Sequence, residues 1–259
     1  MHKRDNGLDA QGFIRNDCSP ENIQIEFQPV VEVVVGELIT QLPKQIDGIY
    51  LYGSVPRGTA MLGHSDLDVS VILTAPVSQN ELGIFNKLSS SIPKAYPQIS
   101  KLDIDPGERH RVLDPKEKYH WQFWLKHCCC CIWGNDLSKE LVSHKPSFEI
   151  AEALNSDLAV FLEQMSGRFA QMSDKAVAKV IGKKLIRAAY YFVAEKDGSW
   201  YINLPECVEV ARKYYPNQHQ HQDIDLAYQC AIGNIASKID AIALYQRLSQ
   251  HINARALQS

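Results

Sequence analysis

Asp66 and Asp68 stand one residue apart at the head of a run rich in β-branched and aliphatic residues, Val69 to Leu73. Successive side chains of a strand alternate faces, so the two carboxylates project from the same side. Held that close, they repel unless a cation lies between them. Hard oxygen ligands of this kind suit Mg²⁺, which takes one or two carboxylates together with substrate phosphates. Aspartate is depleted in strands, so a pair opening an apolar run asks for a chemical reason. Upstream, the apolar run Ile49–Tyr52 ends in Gly53-Ser54. Such a turn offers backbone N–H groups and a hydroxyl, the donors that phosphate oxygens need. The two segments together describe a nucleotide–metal site; the competing reading is a surface hairpin with a negatively charged tip.

The elements that must position these groups are legible by period. An apolar strand spans about 47–52, a turn carries Arg57, Gly58 and Ser65, and a second strand spans about 67–73. This strand–turn–strand resembles the signature of the nucleotidyltransferase superfamily, Gly-Ser followed by Asp-x-Asp, matched here by Gly53, Ser54, Asp66 and Asp68. The longer form of the signature also matches, with Arg57 and Gly58 in the turn and Ser65 before the first acid. The resemblance covers about residues 28–140. In layout the chain is most similar to the aminoglycoside adenylyltransferases, which follow this domain with a helical one.

The resemblance implies a third carboxylate on a later strand. Gln98 to Pro106 is the candidate, with Asp103 and Asp105 on one face and Leu102 and Ile104 on the other. Asp103 is preferred, because Pro106 predicts that the strand ends beside Asp105. By the same resemblance Asp66, Asp68 and Asp103 hold Mg²⁺, as a pair of ions roughly 3.5–4 Å apart, and ATP is the nucleotide donor. Gly53, Ser54, Arg57 and Ser65 line the nucleotide, and a lysine of the helical domain reaches its phosphates. Lys183 is the first choice: Lys179, Lys183 and Arg187 follow at i, i+4 spacing, a positive face suited to a polyanion. A solvated helix face is the alternative for these three.

With 259 residues, the chain exceeds a minimal catalytic core. The expected class is α+β: a small mixed sheet with flanking helices over residues 1–147, then an all-α helical bundle over 148–259. Helices are expected at about 29–42, from Ser78 to Ile92, and from the Asp114-Pro115 start to Lys126. The helical domain reads as 150–168, 175–195, 206–214 and 224–252, with breaks at Gly167, Asp197-Gly198 and Pro216-Asn217, and His219–Gln222 as a loop. Net charge is −3, and residues 1–147 carry 18 acids against 15 bases. That balance argues against a long nucleic acid as partner. No 18-residue apolar run predicts a membrane span, and no signal peptide is evident.

Seven cysteines, four of them consecutive at Cys128–Cys131, predict a buried strand in which sulfur serves as a small apolar group. An odd count speaks against a full disulfide framework, which points to a cytoplasmic setting. The function expected is transfer of AMP from a nucleoside triphosphate to a small hydroxylated acceptor, an aminoglycoside among them, as in antibiotic resistance. The alternatives are nucleotidylation of a protein or tRNA end, as in toxin–antitoxin systems, and a nucleotide-binding regulator without turnover.

Overall fold

The structure is a computed structural model that describes residues 5–256. It divides into two compact units, one of residues 15–143 and one of residues 144–256 joined by residues 5–14.

The first unit contains helix α1 (Gln28–Gln41), strands β1 (Ile46–Tyr52) and β2 (Leu67–Leu73), helix α2 (Gln79–Ala95) and strand β3 (Leu102–Glu108). After these come a short α3 (Arg109–Val112), α4 (Phe123–His127) and β4 (Cys129–Gly134). The sheet order is β3-β2-β1-β4. Strand β1 runs antiparallel to both its neighbours, whereas β2 and β3 are parallel, giving the small mixed sheet that the sequence predicted.

Both faces of the sheet are covered, which is why β1 and β2 read as near-continuous apolar runs. Leu67, Val69, Val71 and Leu73 pack with Val30, Val34 and Leu38 of α1 and Phe85, Leu88 and Ile92 of α2. On the opposite face Tyr50 and Ile72 pack with Val112, Leu125 and Leu137. Helix α2 starts where a Ser-x-x-Glu pattern predicts, with Ser78 and Glu81 closing a reciprocal capping box. A cap of this kind contributes roughly 1 kcal/mol.

Three expectations for this unit need correction. Strand β3 does not end beside Asp105; it runs from Leu102 to Glu108, straight through Pro106. Proline is tolerated there because β3 is an edge strand, with a free side that needs no N–H donor. The helix expected from Asp114 to Lys126 is broken into a 3₁₀ turn (Pro115–Glu117), a π turn (Lys118–Gln122) and α4. In the broken stretch Glu117 turns toward Arg111 and His120. The cysteine strand does form, but begins at Cys129, and all seven cysteines are free thiols. Burial pushes the Cys130 thiol up to about 12 and that of Cys129 well above its ordinary value.

The second unit is helical throughout: α5 (Phe148–Leu154), α6 (Phe161–Phe169), α7 (Asp174–Asp197), α8 (Leu204–Tyr214), α9 (Gln218–Ile232) and α10 (Lys238–Ala256). The long helix α7 is the hub, packing on α5, α8, α9 and α10. Its N-cap is Ser173 and its C-cap is Gly198, which adopts φ 67°. The expected helix 150–168 is interrupted between α5 and α6, where Asn155 turns its amide back onto Ala151 O and Asp157 pairs with Lys184. Gly167 lies inside α6 rather than at a break. The expected helix 224–252 is likewise two helices, divided at Gly233 with φ 84°. His219–Gln222 belongs to the first turn of α9, because Asn217 and Gln220 cap it. Among the described residues no helix is long and apolar enough to cross a membrane.

Helix α7 meets α9 at Gly182, where an added Cβ would run into Ala227 O and Ala231 N. Alanine favours a helix over glycine by about 1 kcal/mol, yet overpacking of a tight contact costs roughly 1–3 kcal/mol. The second effect wins here, because backbone atoms cannot yield as a side chain can. Gly182→Ala should therefore melt roughly 3–6 °C below wild type in a thermal scan. A melting temperature at or above wild type would mean that this crossing has slack.

Candidate active site

Strand register builds the site. Tyr52 on β1 pairs with Asp68 on β2, and Asp68 pairs with Asp103 on β3, so the three form one row across the sheet. One step along, Tyr50, Ser70 and Asp105 form the next row. Asp105 receives the Tyr52 hydroxyl from the neighbouring row. Asp66 precedes β2 by one residue, and its carboxylate accepts the Ser100 hydroxyl at 2.6 Å. Asp103 is paired with the Lys101 ammonium, which donates to both of its oxygens.

Asp68 carries the electrostatic strain of this arrangement. Burial pushes its carboxyl up to about 7, and the charges of Asp66, Asp103 and Asp105 add to the rise, with Lys101 opposing them. Tyr52, half-buried and facing Asp105, holds its phenol proton well above the ordinary range. Its ring meets Trp124 edge-on at 4.9 Å, and the Trp124 indole N–H points at Ser70 Oγ at 3.4 Å. That aromatic pair forms one wall of the row.

The turn between β1 and β2 is folded tightly against the acids. Gly53 has φ 83°, a conformation only glycine adopts without strain. A Cβ there would strike Asp68 Oδ2. The Ser54 carbonyl accepts the Thr59 N–H at 3.0 Å, and Gly58 N–H bonds Val55 O at 3.1 Å. The turn's backbone at Gly53 thus lies directly beside the Asp68 carboxylate. Ser65 braces the far end of the loop, its hydroxyl accepting Met61 N–H at 2.9 Å. The half-buried Arg57 bears on the Cys18 thiol. Lys183 is exposed on α7, in the other unit. His64 is exposed.

Of the residues read from sequence, Gly53, Ser54, Asp66, Asp68 and Asp103 are thus brought together, with Asp105 beside them. Sequence reasoning missed Tyr52, Ser100 and Lys101. Lys101 had a signal, since it stands two residues before Asp103 and shares its strand face.

Four carboxylates on hard oxygens, one of them starved of counter-charge, fit a divalent cation by donor chemistry. Among the described residues no three His, Cys, Asp or Glu side chains form a ready-made metal cage. Asp66 instead accepts from Ser100, Asp103 pairs with Lys101 and Asp105 accepts from Tyr52.

Residues 32–127 match the family described as "Nucleotidyltransferase domain". No curated protein matches the sequence. Among solved structures, the fold is similar to spectinomycin adenyltransferase AAD(9) from Enterococcus faecialis, crystallised with ATP and spectinomycin. The TM-score is 0.57 at 13% identity, over 88% of this chain and 98% of that one.

Proposed function

We propose that this chain, whose residues 32–127 match the nucleotidyltransferase domain family, transfers AMP from ATP to a hydroxyl of a small polar acceptor, with an aminoglycoside-type drug as the best candidate. The observation that carries the reading is the register of Asp68 against Asp103, with the Gly53-Ser54 turn packed on Asp68. Asp66, Asp68 and Asp103 would hold Mg²⁺, which supplies charge neutralisation on the phosphates when bound.

The chain's own residues do the rest. Ser54 and the backbone N–H groups of its turn hold the triphosphate, and the row of acids fixes where its α-phosphorus sits. The acceptor hydroxyl oxygen attacks that phosphorus, the bond to the bridging oxygen breaks, and pyrophosphate leaves. The hydroxyl proton passes to a carboxylate of the row, for which Asp103 is the first choice. Positioning and charge placement supply most of the rate in such transfers. Arg57 is assigned to the phosphates and Ser65 to holding the loop. The likeness to a spectinomycin adenyltransferase supports the choice of acceptor class as an analogy of fold.

Two measurements test it. ATP with Mg²⁺ near a hundredfold excess over Kd should raise the melting temperature by roughly 5–10 °C, and Ser54→Ala should cut that shift by about half. The protein incubated with ATP, Mg²⁺ and spectinomycin, streptomycin or kanamycin should yield a drug heavier by one AMP group by mass spectrometry. Failure across the panel, with labelled AMP on a protein or tRNA end instead, would transfer the function to macromolecular nucleotidylation.

A further inference from the structure

Lys101 has no part in the reaction outlined above, yet it is the cation nearest its acids. Its ammonium donates to both oxygens of Asp103 and pulls the Asp68 carboxyl down against the three neighbouring carboxylates. Asp103 and Asp68 face each other in strand register, so without a positive charge they would repel directly. A carboxylate whose two oxygens both serve one ammonium must give up at least one of those bonds to ligate a metal. The same lysine therefore keeps Asp103 in place and withholds it.

We infer that Lys101 is a positioning residue, an internal counter-cation that holds Asp103 beside Asp68 and competes with the divalent cation for Asp103 oxygens. The inference rests on the reading of this row as a metal site. It means that cation affinity is set by an exchange of partners at Asp103, not by the count of carboxylates alone. The side chain of Lys101 is 42% exposed, so the competition is partly screened by solvent and its effect is moderate.

The test is Mn²⁺ binding to the full chain without nucleotide, followed by the loss of the free-ion paramagnetic resonance signal. Lys101→Met should bind Mn²⁺ roughly fivefold more tightly than wild type, in keeping with a partly exposed ion pair. Lys101→Arg, which restores the ammonium's charge, should stay within about twofold of wild type. Asp103→Asn placed on the Lys101→Met background should erase the gain. Without Mn²⁺, Lys101→Met should melt below wild type, and Mn²⁺ should restore it. A lysine of purely structural use would leave Mn²⁺ affinity unchanged or weaken it. If wild type binds Mn²⁺ and Lys101→Met binds no tighter, or if the gain survives Asp103→Asn, the competition is disproved while the metal site stands. If wild type itself binds no Mn²⁺, the metal site falls and the inference with it. Should the Met variant fail to fold, Lys101→Gln carries the same comparison.

Discussion

Asp68→Asn is expected to cut turnover by roughly a thousandfold, the scale of losing one preorganised charge at a reacting centre, and yet to make the metal-free protein harder to melt above neutral pH. The two effects have one cause. In the folded chain the Asp68 carboxyl is raised to about 7 by burial and by Asp66, Asp103 and Asp105, whereas in the unfolded chain it returns to about 3.9. The folded state thus keeps its proton to a higher pH than the unfolded state does. Between those two values the unfolded chain gains by ionising and the folded chain does not, so stability falls as pH rises from about 4 to 7. Above pH 7 the full penalty is present, on the order of 4 kcal/mol. Asparagine cannot ionise and escapes it. Melting curves in EDTA at pH 5 and pH 8 should therefore show wild type losing several degrees more than Asp68→Asn between the two. Excess Mg²⁺ should close that gap for wild type only. Equal pH responses in the two proteins, or wild-type turnover in the variant, would remove Asp68 from the centre of the site.

Gly53→Ala is the second large effect, and it acts without touching a charge. Alanine at φ 83° is strained by about 1 kcal/mol, and its methyl would occupy the place of Asp68 Oδ2. Either the turn or the carboxylate must move. A displacement near 1 Å at a positioned reacting group costs about a hundredfold in rate, and that is the loss expected in kcat. The fold should survive, with a melting temperature only a few degrees lower. Activity within threefold of wild type would show that the turn can retreat from Asp68 at no cost, and that its tight packing is incidental.

How much of this could be read from the chain depends on how local each determinant is. The β1–turn–β2 segment was legible because its alternation, its glycine and its acids all lie within one stretch of sequence. Strand β3 was placed too early because Pro106 looked like a terminator; only its position at the sheet margin makes proline acceptable there. The interruptions after Leu154 and Ile232 were missed because Leu158 and Phe161, or Ala241 and Leu244, continue the apolar spacing across them. Gly233 was the available signal in the second case. Ser100 and Tyr52 could not be found by pattern at all. Each meets its acid through the pairing of separate strands, which the chain specifies only once folded.

The place of β3 at the margin also bears on how the protein behaves in a crowded solution. A bare strand edge is a template on which a second chain can add its own strand. Here that edge carries Lys101, Asp103, Asp105 and Pro106 within six residues. A docking strand would find a missing N–H at Pro106 and fixed charges on alternate positions, which it would have to bury. The acids proposed here for phosphate chemistry thus also keep this edge from recruiting copies of itself, and apolar replacements among them should cost solubility.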